Sequence, residues 1–242
     1  MAKESMTLLE HLEELRKIII KIFLFILLGT VISYIFFEDL VLQFITAPLD
    51  GKNISLVQLT VTEAFMTKLK ISILSGAVIT LPFSTWQIWS FILPALYTHE
   101  KKYVLTITPI SAFLFVVGVL FGYYVVLPFA LIFFIAQGGK ELLAMLSFAR
   151  YVSFVLGFLV PFGLVFQLPL AVIFLSRIGV ADYRFFKAKR KYAILIIFII
   201  SAVLTPADVV SQLLMAGPVI LLYEISIVFS WLLRRKVNED EE

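Results

Sequence analysis

The chain has 242 residues, 61% of them hydrophobic and only 15% charged, with a formal net charge of +3 and a mean hydropathy of +1.03. That balance excludes an ordinary water-soluble domain and places the chain in the membrane class. The absence of cysteine excludes disulfides, thiolate chemistry and cysteine metal sites, and two histidines, His11 and His99, are too few for a metal centre.

In chain order, the N-terminal segment carries Glu4, Glu10, Glu13 and Glu14 ahead of the first apolar run. This is unlike a cleavable signal peptide, so the first apolar segment is expected to remain. Met6, Leu8, Leu9, Leu12 and Leu15 fall at helical spacing, and Thr7 with Glu10 matches a capping box. Residues 1–17 are therefore expected to form an amphipathic helix on the cytoplasmic surface. Its glutamates can pair internally with Arg16 and Lys17 at i,i+3 or i,i+4 spacing. Beside the apolar mouth of a helix bundle, in reduced dielectric, they also suit a cationic guanidinium ligand.

Six spans are predicted, over residues 18–37, 71–96, 104–136, 152–176, 192–204 and 209–233. The basic residues lie beside these apolar segments rather than on a soluble domain, so they read as topology signals and no nucleic-acid partner is expected. Fifteen of the twenty fall before or just inside the first span, in the second and fourth connections and at the tail. The bias predicts an inner-membrane protein with N- and C-termini in the cytoplasm. No second domain is expected in 1–242.

Two segments depart from simple spans. The uncharged stretch 103–139 would be about 55 Å long as one straight helix, so it should tilt, break at Pro109 or Pro128, or project beyond the bilayer. Residues 192–204 reach only about 20 Å and are followed at once by Thr205-Pro206-Ala207-Asp208. A short helical hairpin is therefore expected, thinning the bilayer locally or shielded by neighbours, unless Lys189 and Lys191 snorkel and extend it. Residues 38–67, with the turn signal Ala47-Pro48-Leu49-Asp50-Gly51, are expected to cap the periplasmic face, and residues 238–242 to form an acidic, disordered tail.

Residues 91–102, including Phe91, Pro94, Tyr97, His99 and Glu100, place a carboxylate and aromatic rings at the cytoplasmic face, which is also what a solvated turn would look like. Within the spans lie Gln167, Gln212 and Glu224, with Asp208 at a rim. An intramembrane carboxylate is a functional candidate because burying it charged is costly, although a protonated, hydrogen-bonded Glu224 is equally consistent. Phosphate-loop, HExxH and GxSxG motifs do not occur.

Together, His11-Leu12-Glu13-Glu14-Leu15-Arg16-Lys17, Ala47-Pro48-Leu49, the segment 91–102, Phe166-Gln167-Leu168-Pro169 and the segment 204–212 resemble the TatC subunit family of the twin-arginine translocase, in order and in placement against six spans. The resemblance runs from residue 7 to about residue 233. It implies an all-α integral membrane protein with a concave bundle of six transmembrane helices, the fifth and sixth short. It also implies a receptor for signal peptides bearing paired arginines, in a complex that exports folded proteins using the proton-motive force, with neither enzymatic activity nor cofactor. Carried over residue by residue, Glu14 and Glu100 would meet the two arginines, with Leu12, Arg16, Phe91, Pro94, Tyr97 and His99 shaping the site. Pro48 and Asp208 would belong to family motifs on the outer side. The fifth and sixth helices would contact single-span partner subunits of the TatA/TatB type, with Gln212 and Glu224 forming interhelical hydrogen bonds, and membrane lipid and further copies of the chain would complete the surroundings. The family usually has glutamate where this chain has Gln167, which leaves a hydrogen-bonding role there but no titrating one.

Two other readings stay open on the residues alone. A proton-coupled secondary transporter of a small solute would use Gln167, Glu224 and broken helices as a midplane site, but no inverted repeat is visible. An intramembrane hydrolase would need a nucleophile and base deep in the bundle, where neither histidine lies.

Overall fold

The structure is a computed structural model that describes residues 8–50, 54–92, 101–137, 144–177, 181, 183–205 and 208–239. It falls into two compact units, one of Met1–Asp50 with Gln58–Ala112 and the other of Gly51–Val57 with Phe113–Glu242.

In the first unit, α1 (Leu8–Phe36) and α2 (Glu38–Thr46) lead into a 3-10 turn at Ala47–Leu49. They are followed by α3 (Glu63–Ile79), α4 (Leu81–Ile92) and the first part of α5 (Lys101–Phe121). The expected N-terminal surface helix is corrected: residues 8–17 run without interruption into the first span. Nothing between Leu15 and Ile18 is a glycine, a proline or a turn-former that would stop the helix. The second span is also not one straight rod, because α3 and α4 meet at 57°. Pro82 lacks a backbone N–H and crowds the residue before it, and the break falls at Thr80, just ahead of Leu81-Pro82.

α1 and α3 pack as an antiparallel pair at very close range. A Cβ on Gly29 would lie 2.6 Å from the Gly76 carbonyl oxygen, and one on Gly76 would lie 2.4 Å from the Thr30 nitrogen. Ser33 and Ser75 hydroxyls are hydrogen-bonded to each other, Lys68 pairs with Glu38, and Phe25 stacks on Phe83 of α4 at 3.5 Å. In each pair the residue number rises on α1 or α2 as it falls on α3 or α4, which defines an antiparallel hairpin. Lipid tails offer no hydrophobic drive between helices, so small residues that let backbones touch, with hydroxyls between them, supply the attraction.

In the second unit, β1 (Ile54–Val57) is followed by the end of α5, a π-helical turn at Gly122–Val126, α6 (Leu127–Gln137), β2 (Ala144–Ser147) and α7 (Phe148–Val165). Next come α8 (Leu168–Arg177), α9 (Tyr183–Ala188), α10 (Arg190–Leu204) and α11 (Val209–Glu239). The long third stretch stays helical and absorbs its proline as the π turn: Pro128 cannot donate to the carbonyl four residues back, and the ladder widens immediately before it. α7 and α8 are parted by a turn at Phe166 and Gln167, ahead of Pro169. α10 is short, at 15 residues.

The sixth helix is a correction. Expected short, α11 is 31 residues long, with an apolar stretch of 24 residues from Val209 to Leu232. Helix continues through the basic residues that follow, which favour a helix C-terminus, and takes in the first two residues of the expected disordered tail; residues 240–242 lie outside the described set. Among the described residues, four helices are by length and composition able to cross a membrane, or five if the bent α3–α4 pair counts as one span.

Glycines and aromatic rings hold this unit. Phe162, fully buried, sits over Gly118 and Gly122, and the Phe115 ring fills the hollow at Gly163. Phe134, Phe154 and Phe158 continue the contact edge to face. A second cluster gathers Ile197 of α10 with Ala216, Val219, Tyr223 and Ile227 of α11. The parallel pairing of β1 with β2, Ile54 opposite Ala144 through Val57 opposite Ser147, was not expected from an all-helical reading. These four-residue strands are too short for a hydrophobic-run pattern to show. The pairing joins the connection after the first span to the connection after the third.

Candidate functional site

α1 carries the first group of predicted residues. Its protein-facing stripe passes through Ile18, Gly29 and Ser33, all buried, and Glu14, half-buried, extends that stripe by one turn below Ile18. Leu12 and Arg16 are exposed, Leu12 at 60%; one turn apart, they share a face that Glu14 does not. α4 leaves the Phe25–Phe83 stack at 57° to α3, with half-buried Phe91 near its end. The remaining members of the expected site, Pro94, Tyr97, His99 and Glu100, lie outside the described residues, and with them the approach of Glu14 to Glu100.

The other candidates have defined partners. Pro48 stands in the 3-10 turn beside buried Leu49, where its missing N–H is no loss. Gln167 occupies the α7–α8 break, its N–H donating to the Leu164 carbonyl at 3.0 Å and its carbonyl accepting from the Ala171 N–H at 3.0 Å. Asp208 accepts from the Ser211 N–H at 2.7 Å and so caps the start of α11. Gln212 donates its side-chain N–H to the Phe198 carbonyl of α10 at 3.0 Å.

Glu224 is not solitary. Its Oε2 accepts from Arg190 Nη2 at 2.5 Å, while the neighbouring Tyr223 hydroxyl donates to the Phe186 carbonyl at 2.8 Å. These bonds close the α9–α10 base onto α11, and Ser176 of α8 meets Ser230 of α11 at 2.6 Å. A solute site built on Gln167 and Glu224 therefore loses its free carboxylate to Arg190.

Sequence reasoning missed four such residues. Arg190 was counted only as a topology charge, because its partner lies 34 residues away. The Glu38–Lys68 pair joins the ends of two separate helices. Glu63, buried at 8% exposure, accepts from the Leu59 N–H at 2.6 Å and the Thr60 N–H at 3.3 Å; Thr60 and Glu63 at capping-box spacing were the available signal.

A multi-pass helical membrane protein is thus defined, several of whose polar groups join its own helices. The family model of the Sec-independent protein translocase protein TatC matches residues 10–218. The TatC proteins of Carboxydothermus hydrogenoformans and Aquifex aeolicus are 43% and 41% identical, over 98% and 97% of this chain and 97% and 98% of their own. A crystal structure of a twin-arginine translocase receptor TatC superposes with a TM-score of 0.84 at 40% identity, covering 92% of this chain and 99% of that one. The chain belongs to the TatC family.

Proposed function

We propose that the chain is the signal-peptide receptor and core subunit of a twin-arginine translocase, exporting folded proteins across the cytoplasmic membrane at the expense of the proton-motive force. The observation that carries this is the near full-length likeness to a solved twin-arginine translocase receptor. Membership of a translocase family leaves the small-solute transporter without support.

Both termini are placed in the cytoplasm on the charge bias. Recognition is assigned to Glu14 and Glu100 at the cytoplasmic side, with Leu12, Arg16, Phe91, Pro94, Tyr97 and His99 around them. Glu14 suits this role because it ends the packed stripe of α1 and is half-buried, so its carboxylate is positioned by the helix while still reachable. A planar guanidinium donates two parallel N–H bonds to one carboxylate, which an ammonium cannot match, and two separated carboxylates then select for two arginines. The peptide's apolar stretch would lie against the bundle. The α10–α11 hairpin, stiffened by its own Gln212 and Arg190–Glu224 bonds, is the surface assigned to single-span TatA/TatB-type subunits. Residues 38–67 cap the outer face, where Pro48 and Asp208 also lie, and several copies of the chain work in one complex.

The test is binding of a twin-arginine signal peptide and its Lys-Lys counterpart to the solubilised protein and to its Glu14→Ala and Glu100→Ala variants. Arg-Arg binding should fall about tenfold or more for either variant and for the Lys-Lys peptide, the loss of one bidentate charge-assisted pair. Indifference to all these changes would remove both glutamates as the recognition site.

A further inference from the structure

We propose that residues 59–61, latched by Glu63, form a hydrophobic wedge that inserts among the lipid headgroups at the α1–α3 end of the first unit. The inference rests on α3 lying in the bilayer and is independent of the receptor role.

Val61 is 97% exposed and Leu59 65%. Two such residues on a tight turn are wasted in water. They continue, however, a stripe of α3 formed by Phe65, Leu69 and Ile73, each more than a third exposed and spaced four residues apart. Over the first turns of α3 the stripe lies opposite the buried residues Glu63, Thr67 and Ile71. The turn therefore prolongs the lipid-facing surface of a membrane helix beyond its first residue.

The hydrogen bonding of the turn also leaves it compatible with an apolar surrounding. Here Glu63 is buried and its carboxylate accepts the N–H groups of both Leu59 and Thr60, while the Glu63 N–H donates back to the Thr60 carbonyl at 3.1 Å. Non-helical backbone entering the membrane interface must have its polar groups satisfied from within, and this closed turn meets that requirement for the residues flanking the exposed side chains. At the same end, Lys68, half-exposed, pairs with Glu38; with its long apolar stem it can hold its charge at headgroup level.

The chain has no cysteine, so a single Val61→Cys substitution can carry an environment-sensitive fluorophore in the full-length protein reconstituted in phosphatidylethanolamine–phosphatidylglycerol nanodiscs. Its emission should be blue-shifted relative to the free fluorophore–cysteine adduct in buffer, quenched by lipids bearing an acyl-chain nitroxide, and protected from iodide. The same probe with Glu63→Ala should lose lipid quenching and gain iodide quenching. Iodide quenching equal to that of the free adduct would overturn the proposal. Protection from both quenchers would also overturn it, showing that protein, including a second copy of this chain, covers the turn. Unchanged lipid quenching in the Glu63→Ala variant would overturn the latch.

Discussion

Replacing Gly76 with alanine tests whether backbone contact, rather than side-chain burial, holds α1 to α3. The new methyl would sit 2.4 Å from the Thr30 nitrogen and 2.6 Å from both the Gly29 carbonyl carbon and the Thr30 Cα. These are backbone atoms, which cannot swing aside. Restoring van der Waals distance needs the helices to part by about 1 Å, enough to forfeit a quarter or more of the dispersion energy along the contact. Overpacking of this kind costs about 1–3 kcal/mol, and straining the Ser33–Ser75 bond adds about 0.6 kcal/mol, giving a destabilisation of about 2–3 kcal/mol. The internal control is Gly217→Ala in α11, where the methyl would meet nothing within 4 Å and the higher helix propensity of alanine should stabilise by up to about 1 kcal/mol. The two variants make the same chemical change with opposite sign. Equilibrium unfolding in mixed micelles measures both. Gly29→Ala should resemble Gly76→Ala, and the double variant should lose less than the sum, because one separation accommodates both methyls. A Gly76→Ala protein within about 0.5 kcal/mol of the parent, or indistinguishable from Gly217→Ala, would refute the close-contact account.

Glu224→Gln should destabilise the α10–α11 hairpin by only about 1 kcal/mol, since both partners keep more than a third of their side-chain surface exposed. Adding Arg190→Gln to it should cost much less than the two single changes summed, and a double-mutant cycle in the same unfolding assay reads the coupling. Asp208→Ala removes the cap of α11 and should cost about 1 kcal/mol, with Asp208→Asn retaining most of it; faster hydrogen exchange at the Ser211 amide, whose N–H the carboxylate accepts, would localise the effect.

The spans were legible because their signal is local: an apolar run of sufficient length needs no partner to be recognised. The short α10 was visible for the same reason, as its length is written between Lys191 and Pro206. Proline positions were legible but their outcome was not. Pro128 yields a π turn inside a continuous helix, whereas Leu81-Pro82 bends its span by 57°, and a proline pattern does not say whether neighbours can take up the displaced carbonyls. The polar pairs were the least legible. Glu224 was noticed as an intramembrane carboxylate, but Arg190 is far away in sequence and looked like an ordinary topology charge. Glu14 stood out only as one glutamate among four; its placement on the Ile18–Gly29–Ser33 stripe required knowing which face of α1 is packed.

That stripe links stability to recognition. In lipid, apolar side chains gain little by facing one another instead of acyl chains, so the position of α1 rests on a few directional contacts: Gly29 against Gly76, Ser33 with Ser75, Phe25 on Phe83, and Glu38 with Lys68 where α2 begins. All lie on the far side of Ile18 from Glu14. Among the described residues, the Glu14 end of α1 is therefore carried by one uninterrupted helix. A helix so anchored can fix the height and azimuth of a carboxylate while leaving its surroundings open to a peptide. Had residues 8–17 formed a separate surface helix, Glu14 would have been positioned by a hinge, and its geometry toward a guanidinium would have had to be fixed on binding. The continuous helix removes that ordering entropy in advance, which would be the physical advantage of the recognition role proposed for Glu14.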